Sequence, residues 1–232
     1  MRFAWLPVLL CWALPAWGGH SILIDDFEQG LDPAWEEKVF EGTTAYSVVN
    51  EDGDSVLCAE SNGSASGLVL KKEIDLGETP FLSWRWRIDG IVEKGNARMK
   101  EGDDYAARVY VIFPHWAIWK TRSLNYIWAN RLPEGEMIPN SFTGNAMMIA
   151  VGSGPERAGE WVEERRNVHD DFKKAFGEDP PPVGAVAVMT DTDNTGSSAA
   201  ACYDDIRFSA GTPKASEPVP DDRLDQVPAG GS

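Results

Sequence analysis

FLSWRWRID, residues 81–89, alternates with a period of two. Leu82, Trp84, Trp86 and Ile88 fall on one side, and Ser83, Arg85, Arg87 and Asp89 on the other. Extended chain points successive side chains to opposite faces, so the pattern predicts a β-strand with one buried face. Two tryptophans on that face need an apolar layer opposite them, and a second sheet supplies it.

The neighbouring stretches follow the same rule. In YAARVYVIF (105–113), Tyr105, Ala107, Val109, Val111 and Phe113 form an apolar face, with Arg108 and Tyr110 opposite. In EWVEERRNV (160–168), Trp161, Glu163, Arg165 and Asn167 separate from Val162, Glu164, Arg166 and Val168. If these strands are neighbours, arginines and tyrosines gather on one sheet's outer surface. Trp84, Trp86 and Trp161 are expected inside. Further short runs, rich in β-branched and aromatic residues, lie at 21–28, 45–50, 55–61, 66–76, 124–130, 145–153, 183–191 and 199–208, separated by Gly, Pro, Asn and Asp turns. The fold class is therefore all-β: a two-sheet antiparallel β-sandwich, jelly-roll-like. One short helix is expected in NVHDDFKKAFG. Asn167 caps it, Val168, Phe172 and Phe176 recur at a spacing of four, and Gly177 stops it before the prolines at 180–182.

The ends differ from the middle. Arg2, an apolar run and Ala16-Trp17-Gly18 have the layout of a secretory signal peptide over 1–18. Leu10 before Cys11 makes a poor lipoprotein site. Residues 210–232 are rich in Pro, Gly and acids, and are expected to form a disordered tail. The β-sandwich domain then spans 19–209, in a periplasmic or secreted protein with no membrane span after signal cleavage. The chain has 21 Lys+Arg against 37 Asp+Glu, a net charge of −16. That balance argues against nucleic acid and anionic membrane surfaces as partners, which need a positive field. Cys58 and Cys202 either form one bridge, tying an early strand to the last, or stay as two buried thiols. His20, His115 and His169 are too scattered for a zinc site or a Ser-His-Asp triad.

Three acidic motifs invite chemistry. DTDNTG (191–196) has the spacing of the first half of an EF-hand loop, but Cys202 stands where the bidentate Glu is needed. What remains is a cluster of oxygen ligands at a strand end. Asp191, Asp193, Asn194 and Asp204 or Asp205, with Asp25 and Asp26 alongside, are the candidate ligands of a structural calcium. The alternative is that Asp191, Asp193 and Asn194 only bond their own turn amides. KKEIDLGETP contains Glu73, Asp75 and Glu78, whose spacing resembles the catalytic strand of laminarinase-like glycoside hydrolases. Here Gly77 and Thr79-Pro80 break the strand, which puts these acids at a hairpin end.

The third motif is GDDYAAR (102–108). Together with LNYIW (124–128), the strand from Trp161 to Asn167, DTDNTG and YDDIRF (203–208), it resembles the exported bacterial proteins of domain of unknown function 3047. The resemblance covers nearly the whole chain between leader and tail. It implies an exported β-sandwich, similar in outline to carbohydrate-binding and lectin-like jelly rolls, and it supplies no activity.

Sugar sites stack aromatic rings on apolar sugar faces and satisfy hydroxyls with Asp, Asn and Arg. Of seven tryptophans beyond the leader, Trp116 and Trp119 in PHWAIWKTR are the exposed candidates. With Arg85, Arg87, Asp103, Asp104, Arg108, Tyr126 and Arg166 they make up the expected ligand-binding set. The leading expectation is a non-catalytic module that binds a glycan or cell-envelope polysaccharide. A hydrolase or lyase working with paired carboxylates, and a structural assembly protein of the envelope, are the alternatives.

Overall fold

The computed structural model describes residues 20–211. The leader expected over 1–18, with Cys11, lies outside the described residues, as does the tail from 212 onward. In chain order the elements are β1 (Ser21–Asp25), β2 (Trp35–Glu41), β3 (Ala45–Glu51), β4 (Asp54–Asn62), β5 (Ala65–Ile74), β6 (Phe81–Ile88), β7 (Tyr105–Phe113), β8 (Arg122–Ala129), β9 (Met137–Pro139), β10 (Ala146–Ser153), β11 (Val162–Asn167), α1 (Val168–Phe176), β12 (Val183–Asp191) and β13 (Ser198–Ser209). They form the expected two-sheet sandwich. A six-stranded sheet runs β11-β6-β13-β4-β3, with β1 beside the second half of β13, and a seven-stranded sheet runs β2-β5-β12-β7-β8-β10-β9.

The period of two in β6 gives the faces as read. Leu82, Trp84, Trp86 and Ile88 are buried between the sheets, where Trp84 meets Tyr126 of β8 at 5.3 Å and Trp86 meets Trp128 at 5.9 Å between ring centroids. Trp84 and Trp86 also contact each other edge to face, an arrangement favoured by the ring quadrupoles. Truncating any one of these rings to Ala costs about 3–5 kcal/mol. Tyr126, expected to face a ligand, instead belongs to this core. Leu124, Tyr126 and Trp128 share the inner face of β8, and the Tyr126 hydroxyl donates to Asp171 at 3.0 Å.

Helix α1 closes one edge of the sandwich. The Asn167 side chain accepts from the Asp170 amide, and Gly177 stops the helix at φ +75°. Phe172 packs on Phe113 at 4.5 Å. Arg166 grips Asp171 through Nε (3.0 Å) and Nη2 (2.7 Å), so strand, helix and Tyr126 meet at one carboxylate.

Three details depart from the expected arrangement. Trp161, expected inside, lies half-buried on the outer face, with the guanidinium carbons of Arg85 and Arg87 over its ring at 4.9 and 5.1 Å. Val162 next to it fills the interior, so Trp161 must point the other way. In β7 a register shift between the pairs Met189↔Arg108 and Asp191↔Tyr105 turns Tyr105 to the same side as Arg108. Finally, β8 and β10 pair in parallel, because β9 takes the return path and makes the antiparallel partner of β10. Cys58 and Cys202 stand opposite each other in the β4–β13 ladder and are joined by a disulfide.

Candidate functional site

The outer face of the seven-stranded sheet is divided in two. At one end Tyr105, Ile127, Met148 and Ala150 are covered by Ala97 and Leu132 from the loops, forming a second small core. Beside that cover the sheet is open. Arg108 and Tyr110 of β7, Asn125 of β8 and Asp191 of β12 floor a groove of about 510 Å³, with Asp103 and Asn140 at its covered end. Exposed rings stand on its rims: Phe40 of β2 (63% exposed) and Phe142 of the β9–β10 loop (57%). The groove continues past Tyr110, Ser123 and Ala146 into a hollow of about 380 Å³ that ends at Trp119, 75% exposed.

The polar end is densely bonded. Arg108 is buried, and its Nε donates to Asp191 Oδ1 at 2.8 Å while Nη2 pairs with Asp191 Oδ2. The same Nη2 donates to the Asp103 carbonyl at 3.1 Å, and the Tyr105 ring lies 4.6 Å from the guanidinium carbon. The Asp103 carboxylate accepts from the Tyr105 hydroxyl (3.2 Å) and from Asn140 Nδ2 (2.9 Å). Asp104 is fully buried and accepts from the amides of Asn194 (3.1 Å) and Thr195 (2.7 Å), which pins the DTDNTG turn to the start of β7. Burial and the nearby Asp104 charge push the Asp193 carboxyl above the ordinary aspartate range. Asn125 donates through Nδ2 to Met148 Sδ at 3.3 Å, and its Oδ1 is buried without a partner.

The groove therefore brings together Asp103, Arg108, Asp191 and Asp193, with Asp104 behind them and Trp119 at the far end. Arg85, Arg87 and Arg166 do not join it. Arg85 and Arg87 face outward from the other sheet, so the expected single arginine surface does not form. Arg85 Nε donates to Asp204 at 2.8 Å and Nη2 pairs with Asp54, while Arg87 holds Glu51 with two bonds of 2.7 and 2.8 Å. Arg166 is committed to Asp171. Trp116 is 88% exposed and stacks beside His115, outside the lining of the groove.

The expected calcium ligands are likewise divided between the sheets. Asp204 faces outward from β13 against Arg85, and Asp25 on β1 accepts from the Trp35 indole at 2.7 Å, whereas Asp191 and Asp193 lie on the seven-stranded side. Asn194 contributes its backbone amide to Asp104 and Nδ2 to Asp193 at 2.6 Å. The carboxylates that do converge are Asp104, Asp191 and Asp193, with one oxygen from each within 4.8 Å of the others. Asp191 is neutralised there by Arg108. Glu73, Asp75 and Glu78 are exposed around the β5–β6 turn, where Asp75 caps the Gly77 amide. Sequence reading missed Asn125, Asn140, Phe40 and Phe142, because the β2 edge strand, the cross-strand neighbours and the folded-back β9–β10 loop that place them are tertiary features.

A family model described as a protein of unknown function, DUF3047, matches residues 33–207. No curated protein matches the chain. Among solved structures, the chain is similar to a family 11 carbohydrate-binding module of the cellulosomal cellulase Lic26A-Cel5E of Clostridium thermocellum, with 10% identity, 83% of this chain and 96% of that chain covered, and a TM-score of 0.47. It is also similar to a family 29 carbohydrate-binding module from Piromyces equi, at 8% identity, 84% and 92% coverage and TM-score 0.40. A third is the xyloglucanase domain of NopAA, a type three effector from Sinorhizobium fredii in complex with cellobiose, at 8% identity, 76% and 93% coverage and TM-score 0.45.

Proposed function

The chain belongs to the DUF3047 family, and we propose that it is an exported, non-catalytic β-sandwich that binds a glycan of the cell envelope or its surroundings in the groove of the seven-stranded sheet. One observation carries the reading: a continuous groove with a hydrogen-bonding floor and separate exposed rings at Phe40, Phe142 and Trp119. A sugar chain has that same two-sided chemistry, apolar ring faces and a belt of hydroxyls, and such rings cost little conformational entropy to hold in place. The carboxylates at the groove are already held: Asp191 by Arg108, Asp103 by Tyr105 and Asn140, Asp104 by two amides, and Asp193 by the Asn194 side chain. Groups committed in this way favour positioning a ligand over proton transfer. The Cys58–Cys202 bridge fits an oxidising compartment, in line with the expected leader. Among the described residues no helix is long and apolar enough to cross a membrane.

A glycan array spanning neutral, amino and acidic envelope polysaccharides, followed by calorimetry on the hits, tests the proposal. Binding that weakens in Trp119→Ala and Phe142→Ala supports it. A flat array across all three classes refutes it.

A further inference from the structure

Resting on that reading of the groove, we infer that its polar end receives a free ammonium group, so that the favoured ligand class is a de-N-acetylated hexosamine polymer. Charge is the first argument. Asp103, Asp104, Asp191 and Asp193 are gathered at this end, and oxygens of three of them lie within 4.8 Å of one another. The single guanidinium among them, Arg108, is directed at Asp191, at the Asp103 carbonyl and, through Nη1 at 3.8 Å, at the Asp103 carboxylate. Two lysines lie at its border, Lys94 on the Thr195 carbonyl at 3.4 Å and Lys100 over the Phe142 ring at 5.3 Å, so that four carboxylates face three cations and the balance at this end stays negative. An incoming carboxylate or sulfate meets an excess of like charge in a partly desolvated recess, whereas a cation is attracted.

The second argument is independent of charge. Asn125 lines the groove at only 3% exposure, and its Oδ1 accepts from no donor among the described residues. A buried acceptor left without a partner is costly, and a ligand donor removes that cost. A neutral hydroxyl satisfies Asn125 but leaves the charge excess in place. An ammonium group brings three donors and a positive charge, and so answers both features.

The test is a matched pair of ligands: glucosamine oligomers and N-acetylglucosamine oligomers of equal length, titrated into the full-length protein at low salt in mildly acidic buffer, with a uronate oligomer as the anionic arm. The free-amine chain is expected to bind roughly fivefold tighter or better than its acetylated twin, with the advantage shrinking as salt is raised. The uronate is expected to bind weakest. Asp193→Asn is expected to bring the ratio of the two hexosamine affinities toward one while the thermal midpoint stays near that of the parent, which separates loss of charge from misfolding. Equal or weaker binding of the free amine, with the acetylated or another neutral glycan still bound, overturns this inference and leaves the groove reading standing. Failure of every glycan to bind overturns both. A thermal midpoint raised by calcium alone, and no longer raised in Asp193→Asn, places a metal ion where the ammonium is assigned and also overturns it.

Discussion

Glu164 sits on β11, opposite Trp84 in the ladder, on the side of that edge strand that turns toward the sandwich. Burial, and then the charge of Glu134, push its carboxyl up to about 7 from an ordinary 4.5. The native state therefore prefers this group protonated. Its favourable contribution to stability is complete below pH 4.5 and is lost as pH rises through about 7. At ~1.36 kcal/mol per pH unit, the gap between the two values sets a ceiling of about 3.4 kcal/mol. The side chain keeps contact with water, so about 1–2 kcal/mol is the reasonable share. Glu164→Gln removes the titration and keeps the shape. The variant should match the parent near pH 4.5 and exceed it above pH 7, by a thermal midpoint difference of roughly 3–6 °C for a domain of this size. Paired urea titrations at several pH values read the difference directly, and subtraction cancels the background of the other acids. A constant offset between the two curves across the range would refute the reasoning, because it would mean that the carboxyl titrates alike in the folded and unfolded chains.

Arg108→Met should destabilise the fold by about 3–5 kcal/mol, since it leaves the Asp191 carboxylate buried without its partner, and chemical denaturation checks it. The double variant Arg108→Met, Asp191→Leu should recover part of that loss. Reduction of the disulfide, or Cys58→Ser with Cys202→Ser, frees a loop whose ends are 144 residues apart and should cost about 3–5 kcal/mol, read as a lower unfolding midpoint with reductant than without it. Trp119→Ala should weaken glycan binding by about tenfold yet leave the thermal midpoint within a degree or so, because an exposed ring contributes little to the core. A fall in both would place the ring in the packing instead.

Much of the architecture can be read from local pattern. FLSWRWRID puts its four large apolar residues on the inner face because its outer neighbours are polar, and Asn167 and Gly177 mark the ends of α1 in the way their side chains require. Alternation assigns Trp161 inward, but the face that it shares with Glu163 and Arg165 is the outer one, and Val162 claims the interior. Tyr126 could not be assigned by alternation, since β8 is buried on both sides, one against the opposite sheet and one beneath the loop cover. The bulge near Tyr105 and the parallel β8–β10 pair have no local signature. Of the site, Asp103, Arg108, Asp191 and Trp119 were legible as residue types, but their meeting in one groove depends on strands far apart in the chain pairing side by side. Arg85 and Arg87 carry the same local signals and face away, on the opposite layer.

The place of β13 bears on how the molecule comes to exist. It is the last strand in the chain, yet it lies in the interior of the six-stranded layer, with β6 on one flank and β4 and β1 on the other. Until β13 is available, β6 has no inner neighbour, β1 has nothing to pair with, and Cys58 lacks its mate. Such long-range pairing is slow to nucleate. A growing chain thus stays open to chaperones until its final strand arrives, and a truncation that removes β13 eliminates the fold rather than trimming it.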